Sequence, residues 1–253
     1  MIKNKIAIVT GAASGIGLAV STELKKSGAV VVMADINEEK LKEEAARIKC
    51  EYFSCDLSKR DGCKSLVDHT VGKFGKVGIL VNVAGVQTVS PIDEFPEDKW
   101  DFIIALMLSA PFYLTKYVWP SMKKEKWGRI INISSIHGLV ASEYKSAYVS
   151  AKHGLMGLTK TTGLEGGPLG ITVNAICPAY VKTPLVDNQI AEQAKTHGIS
   201  EDDVITDIML VKSSIKKLIE PSEIAGIVKF LCSDAAAGMT GSAIVVDGGW
   251  TAG

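Results

Sequence analysis

Short apolar runs alternate along the chain with longer segments in which apolar residues recur every three or four positions. The runs are rich in β-branched residues, and several lack polar alternation, which is typical of strands buried on both faces of a sheet. They predict seven strands, at Lys5–Thr10, Ala29–Ala34, Glu51–Cys55, Gly78–Asn82, Arg129–Ser134, Ile171–Cys177 and Ala243–Val246.

The longer segments predict helices that connect these strands. They are Ile16–Ser27, Glu38–Lys49, Lys59–Phe74, Pro96–Lys124, Lys145–Gly163, Glu201–Lys212 and Pro221–Cys232. Ser58 is placed to cap the third helix, and Asp61 would lie in its first turn. Residues 183–220 are more polar and lack a strand pattern, so they predict either a surface helical hairpin or a lid over a site.

Strands that alternate with helices indicate βαβ crossovers and hence a parallel sheet. The predicted fold class is therefore α/β, a Rossmann-type doubly wound sheet of seven parallel strands with helices on both faces. Length alone allows one or two domains, but the even alternation favours one domain over residues 1–253, with 183–220 as a small lid.

Composition narrows the classes of function. The 28 Lys and Arg balance the 28 Asp and Glu, which argues against nucleic acid as the main partner. No run reaches 18 consecutive apolar residues, so no transmembrane segment is expected. The five cysteines are odd in number and show no Cys-x-x-Cys pair, which argues against a disulfide framework or a zinc knuckle. A cytoplasmic protein with reduced thiols and no metal is the expectation.

A glycine-rich turn follows the first predicted strand. Gly11, Gly15 and Gly17 join that strand to the first helix in the pattern Gly-x-x-x-Gly-x-Gly. Glycines allow a tight turn and a close approach to a pyrophosphate, and the helix N-terminus offers unpaired N–H groups to the phosphates. A glycine cluster alone is weak evidence, but a strand before it and a helix after it supply the context that a dinucleotide site requires.

Asp35 stands at the end of the second strand, 18 residues after Gly17. A carboxylate there can accept both ribose hydroxyls of adenosine and would repel a 2′-phosphate. Neither Ala13 nor Ile36 offers a cation for such a phosphate, so the pattern predicts NAD rather than NADP. The alternative is that Asp35 caps the helix that follows it.

Tyr148 and Lys152 are four residues apart near the start of a predicted helix and would share one of its faces. Ser135 lies at the end of the fifth strand, where ligands bind in open α/β sheets. A Tyr–Lys pair at this spacing is often structural, so the order of all three residues downstream of the glycine turn gives the signal its specificity.

With these motifs the chain resembles the short-chain dehydrogenase/reductase family over essentially its whole length. The matching residues are Thr10-Gly11-x-x-x-Gly15-x-Gly17, Asn82-Val83-Ala84-Gly85, Ser135, Tyr148-x-x-x-Lys152, Asn174-x-x-x-Pro178 and Asp247-Gly248-Gly249. Further stretches, among them His137-Gly138-Leu139-Val140 and Gly248-Gly249-Trp250-Thr251-Ala252, resemble family members that interconvert D-3-hydroxybutyrate and acetoacetate.

The resemblance implies roles for individual residues. Tyr148 would be the general base for the substrate hydroxyl, Lys152 would favour the phenolate by its charge, and Ser135 would hydrogen-bond the substrate oxygen. The implied NAD-binding residues are Gly11, Ser14, Ile16, Gly17, Asp35, Asp56, Leu57, Asn82, Ala84, Gly85, Tyr148, Lys152, Pro178, Val181 and Thr183.

For the carboxylate of a small hydroxy acid, the resemblance implies one cation and several polar groups: Gln87, His137, Lys145 and Gln189. Each also has an ordinary interpretation as a surface or structural residue, but all four are expected at one mouth of the site. Family resemblance further implies a homotetramer, built on the long fourth and fifth helices.

Three positions depart from the family pattern. Val83 replaces a second asparagine, Met107 stands where the family has a catalytic asparagine, and Tyr180 replaces an expected tryptophan. A methionine offers only a weak acceptor sulfur and no donor, so the role of that asparagine is not carried over.

Two rival functions remain open. One is a 3-oxoacyl thioester reductase or another alcohol dehydrogenase of the same family, against which Asp35 and the acid-binding residues count. The other is a catalytically silent dinucleotide-sensing module, which the intact Ser135, Tyr148 and Lys152 disfavour and Met107 favours.

Overall fold

A computed structural model describes residues 2–253, except for the side chains of residues 192, 196 and 197. Seven parallel strands form one sheet in the order β3-β2-β1-β4-β5-β6-β7. The strands are β1 Ile6–Thr10, β2 Val30–Asp35, β3 Glu51–Ser54, β4 Ile79–Asn82, β5 Gly128–Ile133, β6 Ile171–Pro178 and β7 Ala243–Val246. All seven predicted strands are present, and the doubly wound α/β fold is confirmed.

Helices connect the strands and cover both faces of the sheet. They are α1 Gly15–Lys26, α2 Glu38–Ile48, α3 Arg60–Phe74, α4 Glu97–Ile104, α5 Ala110–Glu125, α6 Ser146–Gly166, α7 Pro184–His197, α8 Glu201–Asp203 and α9 Pro221–Leu231. One apolar core lies beneath α1 and α9, and a second lies beneath α3 and α5. The five inner strands are mainly buried because each face of the sheet is covered, whereas the edge strands β3 and β7 are partly exposed.

The order of the strands reverses direction between β1 and β4, which both lie at the centre of the sheet. Loops after these two strands therefore diverge to opposite sides and leave a crevice at their carboxyl ends. The side chain of Thr10 holds the two loops together, since its oxygen accepts from the N–H groups of Val83 at 2.9 Å and Ala84 at 3.2 Å.

One local prediction about the helices is wrong, and a second is met only in part. Ser58 does not cap α3, because its hydroxyl donates to Asp56 Oδ1 at 2.6 Å and the helix begins after Lys59. The predicted helix Glu201–Lys212 is α8 followed by a π-helical stretch that ends at Met209. The helix does not continue beyond this point. The ammonium of Lys216 instead donates to the carbonyls of Leu210 and Val211, which follow the helix end.

The predicted helix Pro96–Lys124 is one continuous helix of mixed type. A π-helical stretch, Ala105–Ser109, joins α4 to α5. By length and composition this helix, Glu97–Glu125, is apolar enough to cross a membrane, which a count of consecutive apolar residues did not reveal. Leu114, Val118 and Met122 bury one of its faces in the core against the sheet, as a core helix would.

Residues 183–220 form a separate small layer. Helix α7, α8 and the π-helical stretch Val204–Met209 enclose their own apolar cluster of Val186, Ile190, Val204 and Met209. A single bridge between Val181 and Ile219 closes the base of the layer. The layer contains a helix, α7, that the hydrophobic pattern did not resolve.

Candidate active site

The glycine turn brings the first helix close to the end of β1. A side chain on Gly17 would collide with the carbonyl oxygen of Gly11, and Gly11 itself has φ +61° beside the backbone of Ala84. Ser14 precedes α1, but its side chain makes no hydrogen bond to the first N–H groups of this 12-residue helix. This arrangement suits the phosphates of a dinucleotide.

The carboxylate of Asp35 is fixed at the end of β2 by two backbone groups. Oδ2 accepts from the N–H of Ala13 at 3.1 Å, and Oδ1 accepts from the N–H of Asn37 at 3.0 Å. The residue that caps α2 is Asn37, whose side-chain oxygen accepts from the backbone N–H of Lys40. Asp35 is thus held beside the glycine turn, where its remaining lone pairs are available to ribose hydroxyls.

One end of the crevice is a cleft of about 300 Å³ between the glycine turn and α4. Predicted NAD-binding residues that line it are Gly11, Ser14, Ile16, Gly17, Asp35, Asp56, Leu57, Ala84, Gly85 and Thr183. The sequence did not point to its apolar wall, which is formed by Ile36, Val86, Phe102 and Leu106. Ile36 is 67% exposed and Phe102 is 39% exposed, and this exposure leaves both side chains free to cover an adenine ring.

The other end is a chamber of about 130 Å³, which shares Ile16, Gly85 and Thr183 with the cleft. The structure brings all seven predicted catalytic and substrate residues to it: Gln87, Ser135, His137, Lys145, Tyr148, Lys152 and Gln189. Pro178 and Val181 also line this chamber. Asn82 is the one predicted NAD-binding residue that lines neither space, since it lies behind the chamber on a smaller cavity.

Tyr148 lies on the first turn of α6. Burial raises the pKa of its phenol, and a hydrogen bond with the hydroxyl of Ser135 opposes that rise. Burial outweighs this opposing influence, and the expectation that Lys152 favours the phenolate stays a prediction. Tyr148 is therefore a neutral phenol at rest, and in this state it can donate a proton.

Lys152 lies one helical turn beyond Tyr148, with its ammonium 5.5 Å from the centre of the phenol ring. The ammonium donates to the carbonyl oxygen of Ile133 at 2.7 Å. Burial lowers the pKa of Lys152 to about 8, and the nearby Cys177 opposes this change. An ammonium with so few acceptors has donors left for a ligand such as a ribose.

His137 and Lys145 form a polar wall of the chamber. Burial, followed by the charge of Lys145, lowers the pKa of His137 to about 4, so the imidazole is neutral near pH 7. Nδ1 of His137 is buried and has no hydrogen-bond partner among the described residues. Burial also lowers the pKa of Lys145. Both groups would gain from an anionic ligand that accepts hydrogen bonds.

Two of the residues that depart from the family pattern, Met107 and Tyr180, line the chamber. Met107 lies in the π-helical stretch and is 1% exposed, and it lines both the chamber and the smaller cavity behind it. Tyr180 also lines the chamber and packs on the apolar cluster of the 183–220 layer. Trp250 meets His137 edge-on with 6.1 Å between ring centroids.

Comparisons with known proteins find relatives that match this chain over nearly its whole length. Residues 11–251 match the family model described as enoyl-(acyl carrier protein) reductase. A D-beta-hydroxybutyrate dehydrogenase of Rhizobium meliloti (strain 1021) is 46% identical, covering 98% of this chain and 99% of that protein. An enzyme of the same name from Cupriavidus necator is 40% identical over the full length of both. A solved structure of an actinorhodin polyketide ketoreductase variant with NADPH superposes with a TM-score of 0.93 at 32% identity, covering 98% of this chain and 97% of the other.

Proposed function

The chain belongs to the short-chain dehydrogenase/reductase family, and from that premise we propose that it is an NAD-dependent oxidoreductase interconverting D-3-hydroxybutyrate and acetoacetate. One observation carries the proposal. Ser135, Tyr148 and Lys152 share a single small chamber with Lys145 and the other residues expected to bind a carboxylate. The two hydroxybutyrate dehydrogenases similar over their whole length support the same substrate.

The substrate carboxylate would lie against Lys145. Pairing with an anion restores the charged form of this lysine, whose pKa burial lowers. Neutral His137 and the amides of Gln87 and Gln189 would donate hydrogen bonds to the same carboxylate. A short acid anchored there would place its reacting carbon beside Ser135 and Tyr148, which line the same chamber.

The reaction centre would lie at Tyr148. In the oxidation of the alcohol, Tyr148 would first lose its proton, because only the phenolate can accept the hydroxyl proton, and the hydroxyl of Ser135 would bond the same substrate oxygen. In the reduction, the phenol of Tyr148 returns that proton. The nicotinamide, when bound, accepts or supplies the hydride at the carbinol carbon.

Residues of the crevice fit a dinucleotide that lies across the switch between β1 and β4. Gly11, Ser14, Ile16 and Gly17 would hold the pyrophosphate at the start of α1. Pro178, Val181 and Thr183 would border the nicotinamide, and Lys152 would bond its ribose. Asp35 favours NAD, because its carboxylate on the wall of the cleft would repel the 2′-phosphate of NADP.

A 3-oxoacyl thioester reductase is the second candidate, supported by the likeness to a polyketide ketoreductase whose structure holds NADPH. Asp35 and the buried Lys145 favour the first candidate. A neutral thioester carbonyl would leave this lysine without an anion.

The discriminating experiment measures kcat/KM in both directions with NAD and NADP. The substrates are D-3-hydroxybutyrate, L-3-hydroxybutyrate, acetoacetate, acetoacetyl-CoA and a neutral secondary alcohol. Preference for NAD and the D-acid supports the proposal. Preference for NADPH and the thioester replaces it with the second candidate, and NADH binding without turnover of any substrate indicates a sensing module.

We propose further that this single domain acts in the cytoplasm as a homotetramer, with residues 183–220 as its substrate lid. Exposed aromatic side chains on the long helix, Trp100 at 38% and Phe112 at 47%, would be covered by other subunits. Sedimentation equilibrium gives the subunit number directly, and a monomer would remove the tetramer from the proposal.

A further inference from the structure

Tyr180 lines the catalytic chamber, but the proposed function assigns it no role. It stands two residues after the end of β6, at a position where the family pattern has a tryptophan. A tyrosine there differs from a tryptophan in two ways, since its ring system is smaller and its hydroxyl can both donate and accept a hydrogen bond. The chamber of this chain therefore contains a polar group that the family pattern does not supply.

The backbone around Tyr180 is fixed on both sides. The N–H of Ala179 donates to the carbonyl oxygen of Val246 at 3.0 Å, and the carbonyl oxygen of Tyr180 accepts from the N–H of Ile219 at 2.9 Å. The side chain packs on the apolar cluster of the 183–220 layer. Because backbone and ring are both held, the fold determines where the hydroxyl of Tyr180 lies.

The hydroxyl of Tyr180 has no hydrogen-bond partner among the described residues, and burial raises its pKa. It is therefore a neutral phenol near pH 7, with one hydrogen to donate. It also lies near the catalytic phenol, since after burial the nearness of Tyr180 contributes to the raised pKa of Tyr148. An unpaired hydroxyl thus lies close to the atoms that react.

The four substituents of the reacting carbon decide what would lie against Tyr180. The arm that carries the carboxylate extends to Lys145, the oxygen lies at Ser135 and Tyr148, and the hydrogen faces the nicotinamide. The remaining substituent is C4, which must lie against the rest of the chamber wall. That part of the wall includes Tyr180 and the apolar side chain of Leu185.

A bound acid displaces water from the hydroxyl of Tyr180. If C4 is a methyl group, the hydroxyl loses its bond to water and gains none, which is unfavourable for a buried donor. A hydroxyl group on C4 restores one hydrogen bond. Sites that bond a hydroxyl of the substrate discriminate against the analogue that lacks it.

We propose that the chamber also takes 3-hydroxy acids with a second hydroxyl on C4, and that Tyr180 selects them by a hydrogen bond to that hydroxyl. The inference rests on the proposed function, because the carboxylate and the reacting carbon bind as in D-3-hydroxybutyrate. Oxidation transfers a hydride from C3 to NAD and the proton of the C3 hydroxyl to Tyr148. The product is the 4-hydroxy-3-oxo acid, in which the C4 hydroxyl is unchanged.

Three acids with the same spatial arrangement at C3 test this selection. D-3-hydroxybutyrate has a methyl group on C3, D-3-hydroxypentanoate has an ethyl group, and (S)-3,4-dihydroxybutyrate has a hydroxymethyl group. The last two acids contain equal numbers of non-hydrogen atoms, so the ratio of their kcat/KM values with NAD reports polarity and not size. We expect a ratio of about ten in favour of the dihydroxy acid, as one added hydrogen bond would give. A ratio of one or less overturns the inference.

Tyr180→Phe removes the hydroxyl and keeps the ring that packs on the 183–220 layer. The ratio between the dihydroxy acid and D-3-hydroxypentanoate should fall about tenfold in this variant. Tyr180→Leu also lacks the hydroxyl and should lower the ratio in the same direction, and NADH binding shows that each variant is folded. Tyr144→Phe is the matched control, since Tyr144 is exposed and outside the chamber. A ratio that is the same in the natural chain and in both Tyr180 variants overturns the inference.

The same measurements distinguish the two levels of the proposal. Inactivity with all three acids overturns the proposed function and this inference with it. Turnover of D-3-hydroxybutyrate without preference for the dihydroxy acid overturns the inference alone. A preference that disappears with the hydroxyl of Tyr180 supports both.

Discussion

The imidazole of His137 meets the phenol ring of Tyr148 edge-on, with 6.3 Å between the ring centroids and 82° between the planes. The residue expected to bind the substrate therefore packs directly on the residue expected to transfer its proton. Because Lys145 also lines the chamber, the residues proposed for anion binding and for proton transfer form one continuous wall. The tests below separate the contributions of these residues.

Tyr148→Phe should lower kcat about 1000-fold, because the ring packing survives and only the proton donor is lost. Binding of NADH, followed by its fluorescence, should be unchanged. Tyr144→Phe is the matched control, since Tyr144 is 56% exposed and outside the chamber. Substantial turnover by Tyr148→Phe would refute the assigned role.

Lys145→Met should raise the KM for D-3-hydroxybutyrate about 100-fold, as expected for the loss of one charge-assisted hydrogen bond. Its kcat should change much less, because Lys145 does not bond the reacting oxygen. The methyl ester of the substrate serves as the internal control, since it carries no charge for Lys145 to bind. An equal loss of activity with the acid and with the ester would mean that the substrate carboxylate does not bind at Lys145.

Asp35→Ala should shift the ratio of kcat/KM for NADP over NAD by about tenfold or more. The substitution removes a negative charge and releases the N–H groups of Ala13 and Asn37, which can then donate to a 2′-phosphate. Asp61→Ala, on the exposed start of α3, controls for the change in net charge. An unaltered ratio would mean that Asp35 serves the turn and does not select the cofactor.

His137 should make the stability of the protein fall with acid. Its pKa is lowered to about 4 from 6.5, so the unfolded chain binds the proton first as the pH falls. The stabilisation is complete above about pH 6.5 and is lost as the pH falls through 4. Thermal unfolding between about pH 8 and pH 4 should therefore show a smaller drop in Tm for His137→Gln than for the natural chain. Carboxylates titrate equally in both proteins and do not affect the comparison. Parallel curves of Tm against pH would therefore contradict the lowered pKa of His137.

Hydrophobic patterning predicted the sheet well because buried parallel strands are almost wholly apolar, and the glycine turn located the crevice at their ends. The pattern failed where a polar side chain can form a hydrogen bond with more than one partner. Ser58 looks like a cap in sequence, yet Asp56 takes its hydroxyl. Helix α7 is mostly polar because the layer it belongs to buries only a small cluster.

Within the site, motif residues were predictable and their surroundings were not. Ser135, Tyr148 and Lys152 follow from their spacing together with the family resemblance, whereas Ile36 and Phe102 become notable only when their exposure beside the cleft is known. Asn82 illustrates the limit best, since the motif that contains it suggested cofactor binding and the fold directs it behind the chamber.

The π-helical stretch Ala105–Ser109 places one extra residue in a single turn of the long helix. Its hydrogen bonds span five residues where those of an α-helix span four, so the extra residue is absorbed within that turn. Phe102 lies before the stretch and lines the cleft, whereas Leu114 lies after it and packs in the core. The stretch thus shifts the sequence register of the helix by one residue between the end that serves the crevice and the end that serves the core.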